Sequence, residues 1–293
     1  WGGRQMTEAG YFDPVSVDEV VALLAADDEA KCVAGGASLV AMMNARLVEP
    51  SRLVSLRHVE ELQKIETAED GWLQIGALVR HCDVAIADEL TDGNQVLSQA
   101  ASLIANPVIR DMGTIGGSVG HFDPAADYPV ALAALGAEIE IASEKGRRRI
   151  PVSNFFVDWY ETALEPGDLI TCIRVPPPPT GSTGIYEKLA KVKGDLGIAM
   201  VAVIMAMQGD VVSHLAVSVG GCGPKPIRLP EAEQALIGGS IDEAAIQDLV
   251  GKLSTASDPV DDVRASAAYR KLLIPRLVAQ AIGQAKVNLR DGS

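Results

Sequence analysis

The sequence predicts an α+β fold in three consecutive parts, because it contains an early strand–helix–strand pattern, one proline-rich linker and two long β-rich runs. A small βαβ unit is expected over residues 6–58, and a larger mixed α/β part over residues 59–177. A C-terminal domain of antiparallel sheet with a helical bundle is expected over residues 178–293. Of the 293 residues, 48% are hydrophobic, so the chain can bury a core without disulfides or a structural metal.

The first part contains a helix followed by a strand–helix–strand unit. In "SVDEVVALLAA", Ser16 is followed three residues later by Glu19, which is a capping-box pattern at the start of an amphipathic helix. The apolar strand "KCVAGG" ends at Gly35 and Gly36, the helix "SLVAMMNARL" follows, and "RLVSL" can return as a parallel strand. The glycine pair is therefore expected at a turn from strand to helix.

The second part mixes strands with helices. Its strand patterns are "WLQIGAL", "AEIEIAS", "RRRIPV" and "DLITCIRV", and the helical stretches "HCDVAIADEL", "QVLSQAASLI" and "DYPVALAAL" lie between them. Four consecutive prolines in "VPPPPTGSTG" suit neither a helix nor a central strand. A domain boundary is therefore expected near residue 178.

The third part begins with two β-rich runs in "IAMVAVIMAMQGDVVSHLAVSVGG", which Gly209 and Asp210 can join as a hairpin. Three helical patterns follow, in "PEAEQALIG", "DEAAIQDLVGKLS" and "AAYRKLLIPRLVAQAIGQA". Pro275 is expected either to kink the last helix or to mark its first turn.

The net charge of the chain disfavours several classes of partner. The 25 basic and 39 acidic residues leave a net charge of −14, which disfavours nucleic acid and anionic membrane surfaces.

No apolar run reaches the roughly 18 residues of a membrane span. Met6 is a candidate start, and the N-terminal residues lack a secretion-signal pattern. The far-separated cysteines are expected to be reduced thiols of a cytoplasmic protein; they are Cys32, Cys82, Cys172 and Cys222.

Two glycine pairs suggest a phosphate site. They occur in "AGGAS" at residues 34–38 and in "TIGGS" at residues 114–118, each followed by a serine. A pair between a strand and a helix, as expected at both places, lets the backbone approach an anion closely, although each pair alone is more typical of a tight turn. Together they can hold the two ends of a pyrophosphate. The P-loop and Rossmann glycine motifs are both absent from the sequence, which leaves a dinucleotide bound by another fold.

The acidic and nucleophilic residues after the second glycine pair admit other chemistry. His121, Asp123 and Asp127 lack a fourth metal ligand at recognisable spacing, so a metal site is not favoured. Asp127 suits a ribose hydroxyl pair, whereas Asp123 can cap a helix opened by Pro124. A Ser118–His121 hydrolase is disfavoured because no acidic residue is placed by spacing to orient the histidine.

Taken together, these motifs resemble the FAD-binding medium subunit of the molybdenum hydroxylases, the family of carbon monoxide dehydrogenase and xanthine dehydrogenase. The likeness runs through "KCVAGGASLVAMMNARL", "IRDMGTIGGSVGHFDPAADYPVALAAL", "YEKLAKVKGD" and "GGCGPKPIRLPEAEQAL", in that order over nearly the whole chain. The resemblance implies a non-covalently bound FAD and no metal in this chain.

The resemblance also implies which residues bind the cofactor. The pyrophosphate loop would comprise Cys32, Val33, Ala34, Gly35, Gly36, Ala37, Ser38 and Leu39, acting mainly through backbone amides. A second wall would comprise Thr114, Ile115, Gly116, Gly117 and Ser118, with Asp127 on the ribose side. Ile104 and Ile170 would be apolar contacts, and Lys188 would lie close to the flavin ring. By itself, a lysine on a strand is more typical of a solvated charge at the edge of a sheet. The chain departs from the family at Ala37, often polar, and at Leu196, where an aromatic residue is common.

The implied activity is electron transfer. A large molybdopterin-binding subunit would oxidise the substrate, and a small subunit with two [2Fe–2S] clusters would relay electrons to FAD in this chain. The implied assembly is a dimer of such heterotrimers, and no catalytic base is needed here. The alternatives are a stand-alone flavin oxidase or reductase and a scaffold without cofactor. None of the four histidines has a sequence setting that marks it as a base above a flavin.

Overall fold

The computed structural model describes residues 10–291 and has the predicted α+β fold. Its first part is a parallel sheet in the strand order β1-β3-β2, with two helices in the connections. The elements are β1 (Gly10–Phe12), α1 (Val17–Ala25), β2 (Lys31–Val33), α2 (Leu39–Asn44) and β3 (Arg52–Ser55). The expected βαβ unit is β2-α2-β3, and β1 is an additional strand. The candidate start at Met6 lies outside the described residues.

Helix α1 begins as the sequence predicts. The Ser16 hydroxyl oxygen accepts a hydrogen bond from the Glu19 amide at 3.3 Å, and the Glu19 carboxylate accepts from the Val15 amide at 2.9 Å. These contacts satisfy amides that have no partner inside the helix. The apolar face of α1 is buried in the core of the first part.

The second part is built on a five-stranded antiparallel sheet in the order β4-β5-β10-β6-β7. Its strands are β4 (Ile65–Thr67), β5 (Leu73–Gly76), β6 (Glu138–Ser143), β7 (Gly146–Pro151) and β10 (Leu169–Val175), and β8 (Phe156–Asp158) pairs separately with β9 (Glu161–Thr162). The helices are α3 (His81–Ala85), α4 (Gln95–Ser102), α5 (Pro107–Met112), α6 (Ile115–His121), α7 (Asp127–Leu135) and α8 (Val152–Phe155). Short 3-10 helices span Glu60–Gln63 and Asp92–Asn94.

The third part is a four-stranded antiparallel sheet with three helices. Its elements are β11 (Ser182–Leu189), β12 (Ala199–Gln208), β13 (Val211–Gly220), β14 (Ile227–Arg228), α9 (Pro230–Gln234), α10 (Glu243–Ala256) and α11 (Ala267–Asp291). As predicted, β12 and β13 form a hairpin that turns at residues 209–210. Pro275 lies well inside α11 rather than in its first turn.

The core runs across the linker between the second and third parts. Along β12, Met200, Ala202 and Ile204 pack into the cluster of the second part, which includes residues of α4 and α7. The alternate residues Val201, Val203 and Met205 pack against α10 and α11. Because both faces of β12 are buried, the strand is a continuous apolar run instead of an alternating one. The third part is therefore packed tightly on the second.

Two local expectations are corrected by the structure. The second glycine pair does not follow a strand: Gly116 and Gly117 lie in the first turn of α6, which directly follows α5. Asp123 does not cap a helix at Pro124. Its carboxylate accepts from the Ala125 amide at 2.8 Å in a turn, and α7 begins only at Asp127, because residues 124–126 are not helical.

Candidate cofactor site

The loop between β2 and α2 presents a row of unbonded amides. None of the backbone amides of residues 34–38 donates a hydrogen bond to another residue within 10–291, and these residues are half-buried or exposed. Gly36 has a φ of +74°, a conformation that favours glycine. Adjacent unbonded N–H groups that are accessible from outside make an anion site. The donor set therefore fits a diphosphate.

Gly35 sits at a close contact with the second motif. A Cβ added to Gly35 would lie 1.7 Å from the carbonyl oxygen of Met112 and 3.0 Å from the Cα atom of Gly113. Likewise, a Cβ on Gly117 would lie 3.8 Å from the Cβ atom of Ala34. The two glycine motifs, which are distant in sequence, are therefore adjacent in space.

The second motif differs chemically from the first. All four amides of its helical turn are bonded: Ile115 donates to Val79 O and Gly116 to Ala77 O, both at 2.9 Å, while Gly117 donates to the Thr114 hydroxyl at 3.2 Å and Ser118 to Thr114 O at 3.0 Å. This wall therefore lacks unbonded amides. It presents the exposed Gly117 and the half-buried Ser118 hydroxyl.

Packing against the end of β5 explains why the first residue of this pair is a glycine. A Cβ on Gly116 would lie 2.5 Å from the Cβ atom of Ala77, so a side chain there would push α6 off the sheet. Ile115 has no exposed surface and belongs to the core of the second part. Ile170 on β10 is also buried, and its Cδ1 atom would lie 3.4 Å from a Cβ on Gly120 of α6.

A buried histidine, not anticipated as part of the site, supports the second motif. The His81 amide donates to Gly113 O at 3.0 Å, and the His81 Nδ1 atom lies 3.0 Å from the Tyr128 hydroxyl. Burial, together with the charge of Arg110, lowers the pKa of His81 to about 4. His81 is therefore neutral at pH 7. No sequence signal indicated this contact, because Tyr128 lies on a different helix.

Asp127 and Lys188 form a buried ion pair. The Lys188 Nζ atom lies 2.9 Å from the Asp127 carboxylate, and the two side chains are 4% and 3% exposed. The Tyr186 hydroxyl donates to the other carboxylate oxygen at 2.8 Å. Burial raises the pKa of Asp127, although Lys188 and Tyr186 oppose the shift. Both oxygens are thus already hydrogen-bonded, so the ribose contact of Asp127 stays a prediction.

Lys188 also connects this pair to Ile104. Its ammonium donates to the carbonyl oxygen of Leu103 at 3.2 Å, and Ile104 is the next residue. Three residues expected near the cofactor, Ile104, Asp127 and Lys188, therefore lie together. Lys188 is not a solvated strand-edge charge, because its side chain is buried between α4 and α7.

The residues weighed as metal ligands do not converge. Asp127 is paired with Lys188, and Asp123 accepts hydrogen bonds from the Ala125 amide and, at 3.2 Å, from the Tyr160 hydroxyl. Within residues 10–291, no group of three or more histidine, cysteine or acidic residues is arranged to hold a metal ion. The four cysteines are free. In the same range, no helix is both long and apolar enough to cross a bilayer.

Comparison with known families indicates that the cofactor is FAD. The family described as "FAD binding domain in molybdopterin dehydrogenase" matches residues 5–178. The family described as "CO dehydrogenase flavoprotein C-terminal domain" matches residues 184–285. Between them they cover most of the chain.

Relatives and solved structures match over nearly their full length. The carbon monoxide dehydrogenase medium chain of Afipia carboxidovorans is 34% identical, over 96% of this chain and 98% of the relative. The 6-hydroxypseudooxynicotine dehydrogenase complex subunit alpha of Paenarthrobacter nicotinovorans is 37% identical, over 94% and 93%. A structure of reconstituted CO dehydrogenase from Oligotropha carboxidovorans superposes with a TM-score of 0.92 at 33% identity, over 96% and 98% of the two chains. This chain belongs to the FAD-binding medium subunits of the molybdenum hydroxylases, an oxidoreductase family.

Proposed function

We propose that residues 34–38 and the exposed face of α6 bind the diphosphate of FAD between them. The observation that carries this proposal is the row of five amides without an acceptor, opposite the bare Gly117. Amide dipoles that converge on one point attract an anion without a positively charged side chain. The Thr114 and Ser118 hydroxyls would complete the second wall. Cys32, Val33 and Leu39 would shape the two ends of the loop.

The apolar and charged residues around α7 would contact the rest of the cofactor. Ile104 and Ile170 would be apolar contacts, and the Asp127–Lys188 pair would lie beside the ribose and ring. FAD supplies the two-electron chemistry when it is bound. A buried ammonium stabilises negative charge nearby, so Lys188 would favour the reduced, anionic ring. Asp127 and the Leu103 carbonyl oxygen would hold Lys188 in place, and the Tyr186 hydroxyl would in turn hold Asp127.

The function that this site supports best is electron transfer within a heteromeric molybdenum hydroxylase. FAD in this chain would collect electrons from [2Fe–2S] clusters of a small partner subunit and pass them to an external acceptor, while a large molybdopterin subunit oxidises the substrate. The relatives called medium chains of carbon monoxide dehydrogenase and glyceraldehyde dehydrogenase support this assignment. We further propose a dimer of heterotrimers in the cytoplasm, with the FAD-binding domain in residues 1–177 and the flavoprotein C-terminal domain in residues 178–293.

The assignment is tested by comparing the chain alone with the chain in its complex. The isolated chain should be yellow, release flavin on acid denaturation and show negligible turnover. Affinity purification from the native host should recover two further polypeptides together with molybdenum and iron, measured by elemental analysis. Substrate turnover by the isolated chain would instead indicate a stand-alone oxidase. A colourless chain that binds no added FAD would contradict the proposal altogether.

A further inference from the structure

The turn between α4 and α5 is bound by two cations from different parts of the chain. Three consecutive carbonyl oxygens of this turn accept a hydrogen bond from a charged nitrogen. Arg110, on α5, donates through Nη1 to Ile104 O at 2.8 Å and to Ala105 O at 3.0 Å. Lys188, on β11, donates to Leu103 O at 3.2 Å. The turn therefore connects the second part of the chain to the third.

The two carbonyl groups that Arg110 binds flank a residue in an unfavourable conformation. Ala105 has a φ of +44°, in the left-handed region that favours glycine. The carbonyl groups of Ile104 and Ala105 belong to the two peptide groups on either side of the Ala105 Cα atom. A single nitrogen bonded to both oxygens fixes how these peptide groups are oriented. Such a conformation persists only where its surroundings hold it, and Arg110 supplies the hold here.

Two further contacts place this turn at the centre of the site. A Cβ added to Gly194, in the loop after β11, would lie 2.4 Å from Ala105 O, so the third part packs directly on the turn. Burial, together with the charge of Arg110, lowers the pKa of His81, the residue that supports the second glycine motif. The guanidinium of Arg110 therefore lies between the second motif and the turn that carries Ile104.

We propose that Arg110 is a positioning residue for FAD: by holding the turn at residues 103–105, it sets the places of Ile104 and of the Lys188 ammonium beside the flavin. An arginine that only capped the end of α4 would contribute to folding stability and nothing more. The positioning role is favoured because the next carbonyl group of the turn, that of Leu103, anchors Lys188. This inference rests on the proposed function, since it concerns the flavin that the site would bind.

Loss of the Arg110 contacts should change two properties of bound FAD. Without them Ala105 would relax to a negative φ, which turns its neighbouring peptide groups and displaces the Ile104 side chain. Leu103 O would move with the turn, so Lys188 would lose one of its anchors. FAD should therefore bind more weakly, and the reduced flavin should lose more than the oxidised flavin, because the ammonium favours negative charge.

Arg110→Met in the full chain tests this role through FAD affinity and flavin potential. Fluorescence titration should show a Kd for oxidised FAD raised about fivefold, the effect of one ordinary hydrogen bond. Equilibration of the FAD-saturated protein with redox dyes should show a further loss of about tenfold for the reduced flavin, which equals a midpoint potential lower by about 30 mV. Urea denaturation of the FAD-free protein measures the change in folding stability separately.

The matched control is Lys286→Met. Lys286 also donates to a backbone carbonyl oxygen, that of Ile241 at 2.9 Å, but it lies on α11, away from both glycine motifs. Its replacement should leave the FAD affinity and the flavin potential unchanged. Arg110→Lys should keep the Kd within about twofold of the wild-type value, because an ammonium has three donors and can bind both carbonyl oxygens.

Ala105→Gly separates positioning from a general loss of stability. Glycine adopts a positive φ without a side-chain penalty, so the turn should keep its shape without Arg110. The double variant Arg110→Met/Ala105→Gly should therefore bind FAD within about twofold of the wild-type Kd and recover most of the potential. If Arg110→Met does not fold, this double variant decides, because a folded double variant that binds FAD at least about fivefold more weakly would overturn the inference.

The outcomes separate this inference from the proposed function. A folded Arg110→Met protein with unchanged FAD affinity and potential would overturn the positioning role. A loss of folding stability alone would also overturn it, because that is the effect of a simple helix cap. In both cases normal FAD binding by the wild-type chain would leave the proposed function standing. A wild-type chain that binds no FAD would contradict the proposed function and this inference together.

Discussion

The ammonium of Lys188 lies 2.9 Å from the carboxylate of Asp127, and both side chains are almost completely buried. This pair connects α7 to β11, so it joins the second and third parts of the chain at the place where Ile104 also lies. Burying two charges is costly, and the cost is offset only if each charge keeps its partners. Tyr186 and Leu103 O provide the additional hydrogen bonds here.

Lys188→Met should destabilise the fold strongly, because it leaves Asp127 buried without its counter-charge. The expected loss in the free energy of unfolding is about 3–5 kcal/mol, measured by urea denaturation. The double variant Lys188→Met/Asp127→Asn should recover most of that loss, since neither charge remains. If the single and double variants were equally unstable, the unpaired charge of Asp127 would not be the cause of the lost stability.

His81 should make the stability depend on pH between about 6.5 and 4. Its pKa is near 6.5 in the unfolded chain and is lowered to about 4 by burial and by Arg110, so the unfolded state binds more protons in this range. The contribution is fully present above pH 6.5 and is lost as the pH falls through 4, by up to about 1.4 kcal/mol per pH unit. His81→Gln should flatten this dependence in urea titrations, and equal slopes for the two proteins would contradict the assignment.

Gly35→Ala should separate the two glycine motifs. The added Cβ atom would lie 1.7 Å from Met112 O, which is a backbone atom and cannot rotate away. FAD affinity, measured by flavin fluorescence titration, should fall at least about tenfold, which corresponds to roughly 1.4 kcal/mol. The control is Gly251→Ala in α10, where a Cβ meets nothing within 4 Å. That change should leave FAD affinity intact and stabilise the helix by about 0.5–1 kcal/mol.

Gly117→Val should impair cofactor binding with little effect on folding. Gly117 is exposed, and an added Cβ would lie 2.9 Å from the Thr114 hydroxyl oxygen, a side-chain atom that can shift, and 3.8 Å from the Cβ atom of Ala34 in the first motif. We expect FAD retention after gel filtration to fall to near zero, while the thermal midpoint falls by only a few degrees, about 1 kcal/mol for a chain of this size. Unchanged flavin content in purified Gly117→Val would place the diphosphate elsewhere.

The sequence predicts the architecture better than the details of the site. The uninterrupted apolar run of β12 and the prolines after β10 are local signals, and they suffice for the fold class. Helix α6 was missed because glycine disfavours helices; here the close approach of Gly116 to Ala77 overrides that local preference. The contacts of His81 with Tyr128 and of Lys188 with Asp127 join residues far apart in sequence, so only the folded chain reveals them.

A crystal structure of this chain with FAD tests the central claim most directly, because that claim concerns where the diphosphate of FAD is bound. The account predicts diphosphate oxygens within about 2.7–3.2 Å of several backbone nitrogens of residues 34–38, on the side facing Gly117. A diphosphate located away from that loop, with the same amides still lacking an acceptor at full flavin occupancy, would contradict it.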